Sequence, residues 1–243
     1  MAALLSFFTV LPARSASLDE AARSAFLLPL IGVVTGLPGA AVLLLGYVVP
    51  PGVAATLGLG AVLLAAGLHH TDGVLDAGDA LMVRGDPARR RTVLKDARVG
   101  IGGIAALFIV YAPALGALAA LVDSSPARAM LALFAGEVCA RSAMLFALAF
   151  GRPAEKSSSS VPFVRALRGP RRGAGIVLAL LGPLPFLLYL GGISPFAVLA
   201  APLAAILALQ VSRAAFGGIG GDAVGATGEA ARTVLLVILS SNV

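Results

Sequence analysis

Apolar positions in this chain neither alternate nor recur as a narrow stripe; they run together in blocks broken by short polar stretches. Crossing a hydrocarbon core takes roughly 20 residues of helix, and spans of that size are predicted near 26 to 49, 53 to 79, 101 to 122, 128 to 150, 174 to 191 and 195 to 212. A last apolar stretch runs from Thr233 to Val243, too short to cross unless its helix begins inside the Gly-rich segment before it. The pattern predicts an all-α fold: a polytopic integral membrane helical bundle of about six to seven transmembrane helices, embedded in a lipid bilayer. No internal repeat divides it, so residues 1–243 are read as one transmembrane domain with catalytic loops.

Composition agrees, with 59% hydrophobic and 12% charged residues and a mean hydropathy of +0.98. The opening "MAALLSFFTVLP" lacks a basic leader and a cleavage site, and reads as an interfacial or partly inserted helix rather than a signal peptide. The single cysteine, Cys139, falls inside a span and is expected to be packed there. A net charge of +6 would suit nucleic acid, but the cations sit in alternate loops. Arg14 and Arg23 precede the first span. Arg84, Arg89, Arg90, Arg91, Lys95 and Arg98 lie between the second and third. Arg152, Lys156, Arg165, Arg168, Arg171 and Arg172 lie between the fourth and fifth, and Arg213 and Arg232 follow the sixth. Arg128 alone departs from this asymmetry, which by the positive-inside rule puts the basic loops and the N-terminus in the cytoplasm. Topology therefore explains the charge without nucleic acid, and predicts a multi-pass plasma-membrane protein whose active site faces the cytoplasm.

The chemistry gathers in "GLHHTDGVLDAGDAL", Gly67 to Leu81, which holds both histidines and three of the twelve acidic residues. On a helix, Asp76 and Asp79 fall about 40° and 20° to either side of Asp72, so the three carboxylates share a face. Like charges at that spacing repel, and near lipid they need a cationic neutraliser. A divalent ion of the Mg²⁺ type takes oxygen ligands and leaves positions for water and phosphates. His69 lies about 60° from Asp72 and His70 about 160° away; either is a candidate acid or base near neutral pH.

Lys95, Asp96 and Arg98 precede "GIGG" at 100 to 103, where glycines at a helix start let N–H groups approach an anion and cations clamp phosphate oxygens. "FGGIGGDAVGATGE", 216 to 229, carries Asp222 and Glu229 in a loop expected to pack over the acidic helix and close its site. The serine run in "EKSSSSVPF" reads equally as connector or functional loop. Inside the fourth span Glu137 and Arg141, at i and i+4, have the spacing of an ion pair facing the bundle interior.

These segments resemble the cobalamin synthase, or adenosylcobinamide-GDP ribazoletransferase, family nearly end to end. The resemblance rests on "FFTVLP" at 7 to 12, "FLLPLIG" at 26 to 32, "HHTDGVLDAGD" at 69 to 79, "KDARVGIGG" at 95 to 103 and "GGIGGDAVGATGE" at 217 to 229. Ala80, Val10 and Arg232 depart from residues common in the family, and the family's His-x-Asp spacing selects His70 where the helical wheel prefers His69.

The resemblance implies transfer of an adenosylcobinamide phosphate from adenosylcobinamide-GDP to α-ribazole or its 5′-phosphate, with release of GMP. It implies Mg²⁺ as cofactor, held by Asp72, Asp76, Asp79 and Asp222, with His70, His69 or one of the carboxylates taking the proton. Substrate binding would fall to Lys95, Asp96, Arg98, Gly100, Gly221, Asp222, Gly225 and Glu229. A homo-oligomer is left open. Two other membrane transferases of diphosphates are weighed against it, a CDP-alcohol phosphotransferase and a prenyltransferase, and both lack their motifs here. A transporter is disfavoured because the acidic triad lies at the end of a span rather than at midplane.

Overall fold

The computed structural model describes residues 1–11, 17–155, 158–192 and 194–241; Pro12, Arg14 and Lys156, used in the sequence reading, lie outside them. The described residues are helical, without a β-strand. Two short helices, Ala2–Phe8 (α1) and Leu18–Arg23 (α2), precede Leu28–Leu43 (α3), which a 3₁₀ turn on each side extends. Pro51–Ala65 (α4) is followed by His69–Met82 (α5), then by the short Pro87–Val93 (α6). Ile101–Ser124 (α7) and Pro126–Phe150 (α8) form the long central hairpin. Ser160–Ala166 (α9), Gly169–Leu181 (α10), Leu184–Leu190 (α11), Ala200–Phe216 (α12) and Gly221–Ser240 (α13) complete the bundle.

The boundaries follow local chemistry. Ser17 and Glu20 make a capping box at the start of α2, Asp86 accepts the Arg89 N–H at the start of α6, and Ser125 with Pro126 starts α8. Six helical segments are long and apolar enough to cross a membrane, and the α4–α5 pair brings the number to seven if it counts as one span. The uncertain last span is a full helix: it begins at Gly221, twelve residues before Thr233, because its Gly and Ala positions pack on α8 and α5 and tertiary contact overrides glycine's weak propensity.

The second span departs from expectation. In place of one helix from 53 to 79 there are two, bent by 95°. Gly67 and Leu68 both take positive φ, 77° and 63°. Leu68 is the one non-glycine residue to do so among the described residues; a left-handed leucine costs about 1–2 kcal/mol, so the surroundings hold the break in place. The Val10 N–H donates to the Ala65 carbonyl that the broken ladder releases, at 3.0 Å.

The central helix is α8, buried without interruption from Ala135 to Ala149. A helix covered on all sides cannot be amphipathic; its charged residues must be matched by neighbours instead.

Candidate active site

The bend before His69 aims α5 along the start of α7 on one side and the start of α13 on the other. Helix α5 is regular from His69 onward, so the wheel angles hold. His69 is exposed while His70 is 8% exposed and turns into the bundle. Asp72 is exposed, and Asp76 and Asp79 are half-buried along one edge.

Glycines set the α5–α13 contact. A Cβ on Gly73 would stand 2.7 Å from the Asp222 carbonyl oxygen, and one on Gly225 would stand 3.1 Å from the His70 Cα. Only glycine permits this approach, which carries Asp222 to the acidic edge. The charges of Asp72, Asp222 and Asp79 all reach Asp76, and that of Asp72 reaches Asp222. The segment expected to close the site as a loop does so as the first turns of a helix; only 217 to 220 remain irregular.

Asp79 has a different task from its two neighbours. Its Oδ2 accepts the Gly100 N–H at 2.7 Å and its Oδ1 the Gly103 N–H at 2.8 Å. Four N–H groups at a helix start have no partner within the helix, and the helix dipole favours an anion there. The anion that "GIGG" receives is therefore the chain's own Asp79. That removes the Gly100 N–H from the expected phosphate contacts, and gives each Asp79 oxygen a partner in the cap of α7. The side chains of Asp72, Asp76 and Asp222 have no hydrogen bond or ion pair with any described residue.

Among the described residues no group of three or more His, Cys, Asp or Glu side chains is close enough to hold a metal ion as it stands. That excludes a closed, all-protein cage. It suits the donor set that Mg²⁺ prefers, one or two carboxylates completed by water and substrate phosphates, and the three unpaired aspartates can supply it.

Glu229 is not part of this edge. It lies seven residues beyond Asp222 on α13, about 10 Å along the axis, and is 1% exposed. It accepts hydrogen bonds from Arg232 and, at 2.9 Å, from the Tyr111 hydroxyl. Arg232 also binds Glu137 at 2.8 Å, and Glu137 meets Arg141 at 3.5 Å and the Thr35 hydroxyl at 2.6 Å. Two carboxylates thus face two guanidinium groups in the bundle interior. The i, i+4 pair expected from the sequence is half of that network; Arg232, counted in the sequence with the basic-loop cations and as a family departure, instead lies buried inside α13 and makes the other half with Glu229. Arg141 Nη1 also donates to His70 Nδ1 at 2.7 Å. An arginine has only donors, so the Nδ1 accepts and the ring proton sits on Nε2.

The basic segments gather on the same side of the bundle as the aspartates. Arg91 donates to Glu155 at 3.1 Å and to the Phe216 carbonyl at 2.8 Å, while Lys95 reaches Glu155 at 2.8 Å. The Ile219 N–H donates to the Arg152 carbonyl at 2.8 Å. These bonds join residues 91–95, 152–155 and 216–219, which belong to the three segments, 84–100, 151–173 and 213–231, that the charge pattern places together. The Lys95 and Arg91 hydrogen bonds hold the Glu155 carboxyl below the ordinary glutamate range. Asp96 and Arg98 instead pair with each other in solvent, Nη2 to Oδ2 at 2.7 Å. Hydrogen bonds from Arg98 pull the Asp96 carboxyl down to about 2, and the pairing raises Arg98. So of the expected phosphate clamp Lys95 faces the acidic edge, whereas Arg98, with its side chain 89% exposed, does not.

Two cavities meet at Asp222. One, of about 250 Å³, is polar and includes Arg91, Lys95, Glu155, Ser159, Gly221 and Asp222. The other, of about 400 Å³, is walled by Phe7, Phe8, Met144, Leu148 and Phe163, with His69, His70, Ser159 and Asp222 at its polar edge. Arg91, Ser159 and the three phenylalanines were not legible as site residues. Each belongs to a pattern, basic anchoring, low-complexity serine or an apolar run, that has a structural meaning of its own.

A match to the cobalamin-5-phosphate synthase family covers residues 1–240. The chain belongs to this family. Among curated relatives, the adenosylcobinamide-GDP ribazoletransferase of Methanosarcina barkeri is 30% identical over 235 residues, 92% of this chain and 84% of that protein. The enzyme of the same name from Methanocella arvoryzae is 31% identical over an alignment covering 98% of this chain and 94% of that protein. The one from Saccharolobus islandicus strain L.S.2.15 is 46% identical over 45% of this chain. No solved structure matches. Family membership sets aside the CDP-alcohol phosphotransferase, prenyltransferase and transporter readings.

Proposed function

We propose that this chain transfers the adenosylcobinamide phosphate of adenosylcobinamide-GDP to α-ribazole or its 5′-phosphate, releasing GMP, in the last steps of cobalamin assembly. A hydroxyl oxygen of the ribazole forms a bond to the phosphorus attached to the cobinamide side. The bond from that phosphorus to the GMP oxygen breaks, GMP leaves with the electron pair, and the hydroxyl proton passes to the protein or to water. The observation that carries the reading within this family is the trio Asp72, Asp76 and Asp222. The three lie within electrostatic reach of one another, their side chains have no cationic partner among the described residues, and Asp222 stands where the two cavities meet.

One or two carboxylates of the trio, completed by water and the substrate's phosphates, would hold Mg²⁺, which when bound would offset the negative charge of the diphosphate and of departing GMP. Lys95 and Arg91 orient the leaving phosphate in the polar cavity, a task Glu155 performs for them by fixing both side chains. His69, exposed at the edge of the apolar cavity, takes the hydroxyl proton. His70, with Nδ1 occupied by Arg141, offers its Nε2 proton as a hydrogen-bond donor. Most of the rate then comes from positioning and from fixed charge.

Positive-inside asymmetry supports placing this face in the cytoplasm and the chain in the plasma membrane. With Cys139 replaced, an impermeant thiol reagent should leave a cysteine at Ser158 unlabelled in intact cells and label it in inverted vesicles; labelling from outside refutes the orientation. For the reaction, purified protein given adenosylcobinamide-GDP, α-ribazole and Mg²⁺ should yield GMP and a complete corrinoid. No GMP above the protein-free control refutes the reading.

A further inference from the structure

We infer that the cavity walled by Phe7, Phe8 and Phe163 is the seat of the acceptor's base, and that it selects a planar fused aromatic heterocycle. The inference rests on the transfer reading above and adds which substrate occupies which cavity.

Two segments far apart in sequence bring the phenylalanine rings together. Phe7 and Phe8 come from α1, Phe163 from α9, and the ring centroids lie 5.5 Å (Phe7 to Phe163) and 5.8 Å (Phe8 to Phe163) apart. Phe8 in turn lies 5.9 Å from the His70 ring. Phe8 and Phe163 are 5% and 3% exposed, whereas Phe7 is 42% exposed and stands at the opening. Met144 and Leu148 of α8 close the wall. Aromatic rings near 5 to 6 Å attract further rings through offset and edge contacts, and every nucleobase offers a π face.

Size and polarity decide among the pieces of the two substrates. A volume of about 400 Å³ is at the small end for ligand sites; it admits a bicyclic base with its ribose and not a corrin ring with its amide arms. Guanine would need partners for its amide and amino edge, and Met144, Leu148 and the phenylalanines of the wall offer none. The Ser160 hydroxyl at this end already donates to the Ile219 carbonyl at 3.2 Å. The base of α-ribazole, a benzene ring fused to imidazole, asks for little besides apolar and aromatic surface. Its ribose would then lie at the polar edge, by Ser159 and Asp222. Those two residues also line the smaller cavity, where Arg91 and Lys95 suit the phosphates of the leaving nucleotide. Acceptor and leaving group so enter from two sides and meet at Asp222, as displacement at phosphorus requires. A lipid acyl chain is the competing occupant.

Full-length protein in lipid nanodiscs allows the binding of α-ribazole and of adenosylcobinamide-GDP to be measured separately. Phe7→Ala removes a ring from the opening, and Ser6→Trp, at a half-buried position on the same helix, fills the cavity. Each should weaken α-ribazole binding about tenfold, in the range by which stacked aromatic side chains contribute per base, and leave donor binding within about twofold. The unchanged donor constant reports that the variant is folded. If donor binding weakens while α-ribazole binding stays, or if both variants leave α-ribazole binding unaltered, the cavity is not the acceptor's. An acyl chain retained in the wild type and lost in Ser6→Trp, with acceptor affinity unmoved, assigns it to lipid and overturns the inference. Failure of the wild type to release GMP speaks against the transfer reading and is read from a different measurement.

Discussion

Two sets of carboxylates lie within a few helical turns of each other and are treated in opposite ways. Glu137 and Glu229, deep in the bundle, are each paired with an arginine, and Arg141 and Arg232 bring the sum of charges to zero. Asp72, Asp76 and Asp222, at the mouth, face one another with no cation from the described residues. Where water and ligands cannot reach, the fold has to carry its own counter-charge, because an isolated ion in a membrane interior costs several kcal/mol or more. Where a ligand arrives, leaving the counter-charge out creates a site for a cation and for the phosphates it binds. Asp79 falls between the two cases, neutralised by the N-terminus of α7 rather than by a side chain.

Removing a partner from the interior set should have the largest effect. Glu137→Gln leaves Arg232 and Arg141 short of an anion, and should destabilise the bundle by about 3–5 kcal/mol. Thermal unfolding in detergent checks this, and a second change, Arg232→Gln, should restore part of the loss. Additive damage from the pair would mean the network is not a unit.

At the mouth the opposite holds. Asp76→Asn should lower GMP release by about 10²–10³-fold, the range found when one charge-stabilising group is lost. It should raise the Mg²⁺ needed for half-maximal rate and leave unfolding unchanged or slightly improved, since a repulsion is relieved. Normal turnover in Asp76→Asn at saturating Mg²⁺ would break the contrast between the two sets.

Asp79→Ala should behave as the loss of a helix cap, costing about 1–2 kcal/mol of stability. Because Asp79 acts by capping, the midpoint of unfolding should fall equally with and without Mg²⁺. A stability loss that appears only with Mg²⁺ present would return Asp79 to the metal set.

The smallest effect belongs to Glu155, which is half-buried at the surface. Its folded-state pKa is depressed by Lys95 and Arg91, so its contribution is present above the unfolded value of about 4.3 and is lost as pH falls through the folded one. A probe pair reporting the separation of α6 from residues 151–155 should register loosening below that pH. Glu155→Gln should show the loosened separation already at neutral pH and no further change on acidification.

Much of this protein could be read from its residues alone. The lengths of the apolar runs determined the bundle and nearly all its crossings, since a fixed hydrocarbon thickness leaves helices little choice. The placement of arginines predicted that three loops share a face, and Arg91, Glu155 and Phe216 bring them together there. The common face of Asp72, Asp76 and Asp79 followed from helical geometry, and the phrases around them identified the family.

What the sequence did not contain was the identity of each charge's partner. Nothing local distinguishes Asp79, whose oxygens bind Gly100 and Gly103, from Asp76, whose oxygens bind no described residue. Nothing in "GEAAR" announces that Arg232 would neutralise Glu137 from another helix, and nothing in "SFF" or "SVPF" says that those rings would wall one cavity. The break at Leu68 was equally hidden, because a left-handed leucine is held by its surroundings and not by its own preference. Helix formation and membrane insertion are sums over neighbouring residues, so they are written in the order of the chain. Charge pairing, caps between helices and cavities are relations across space, and only the packed bundle decides them.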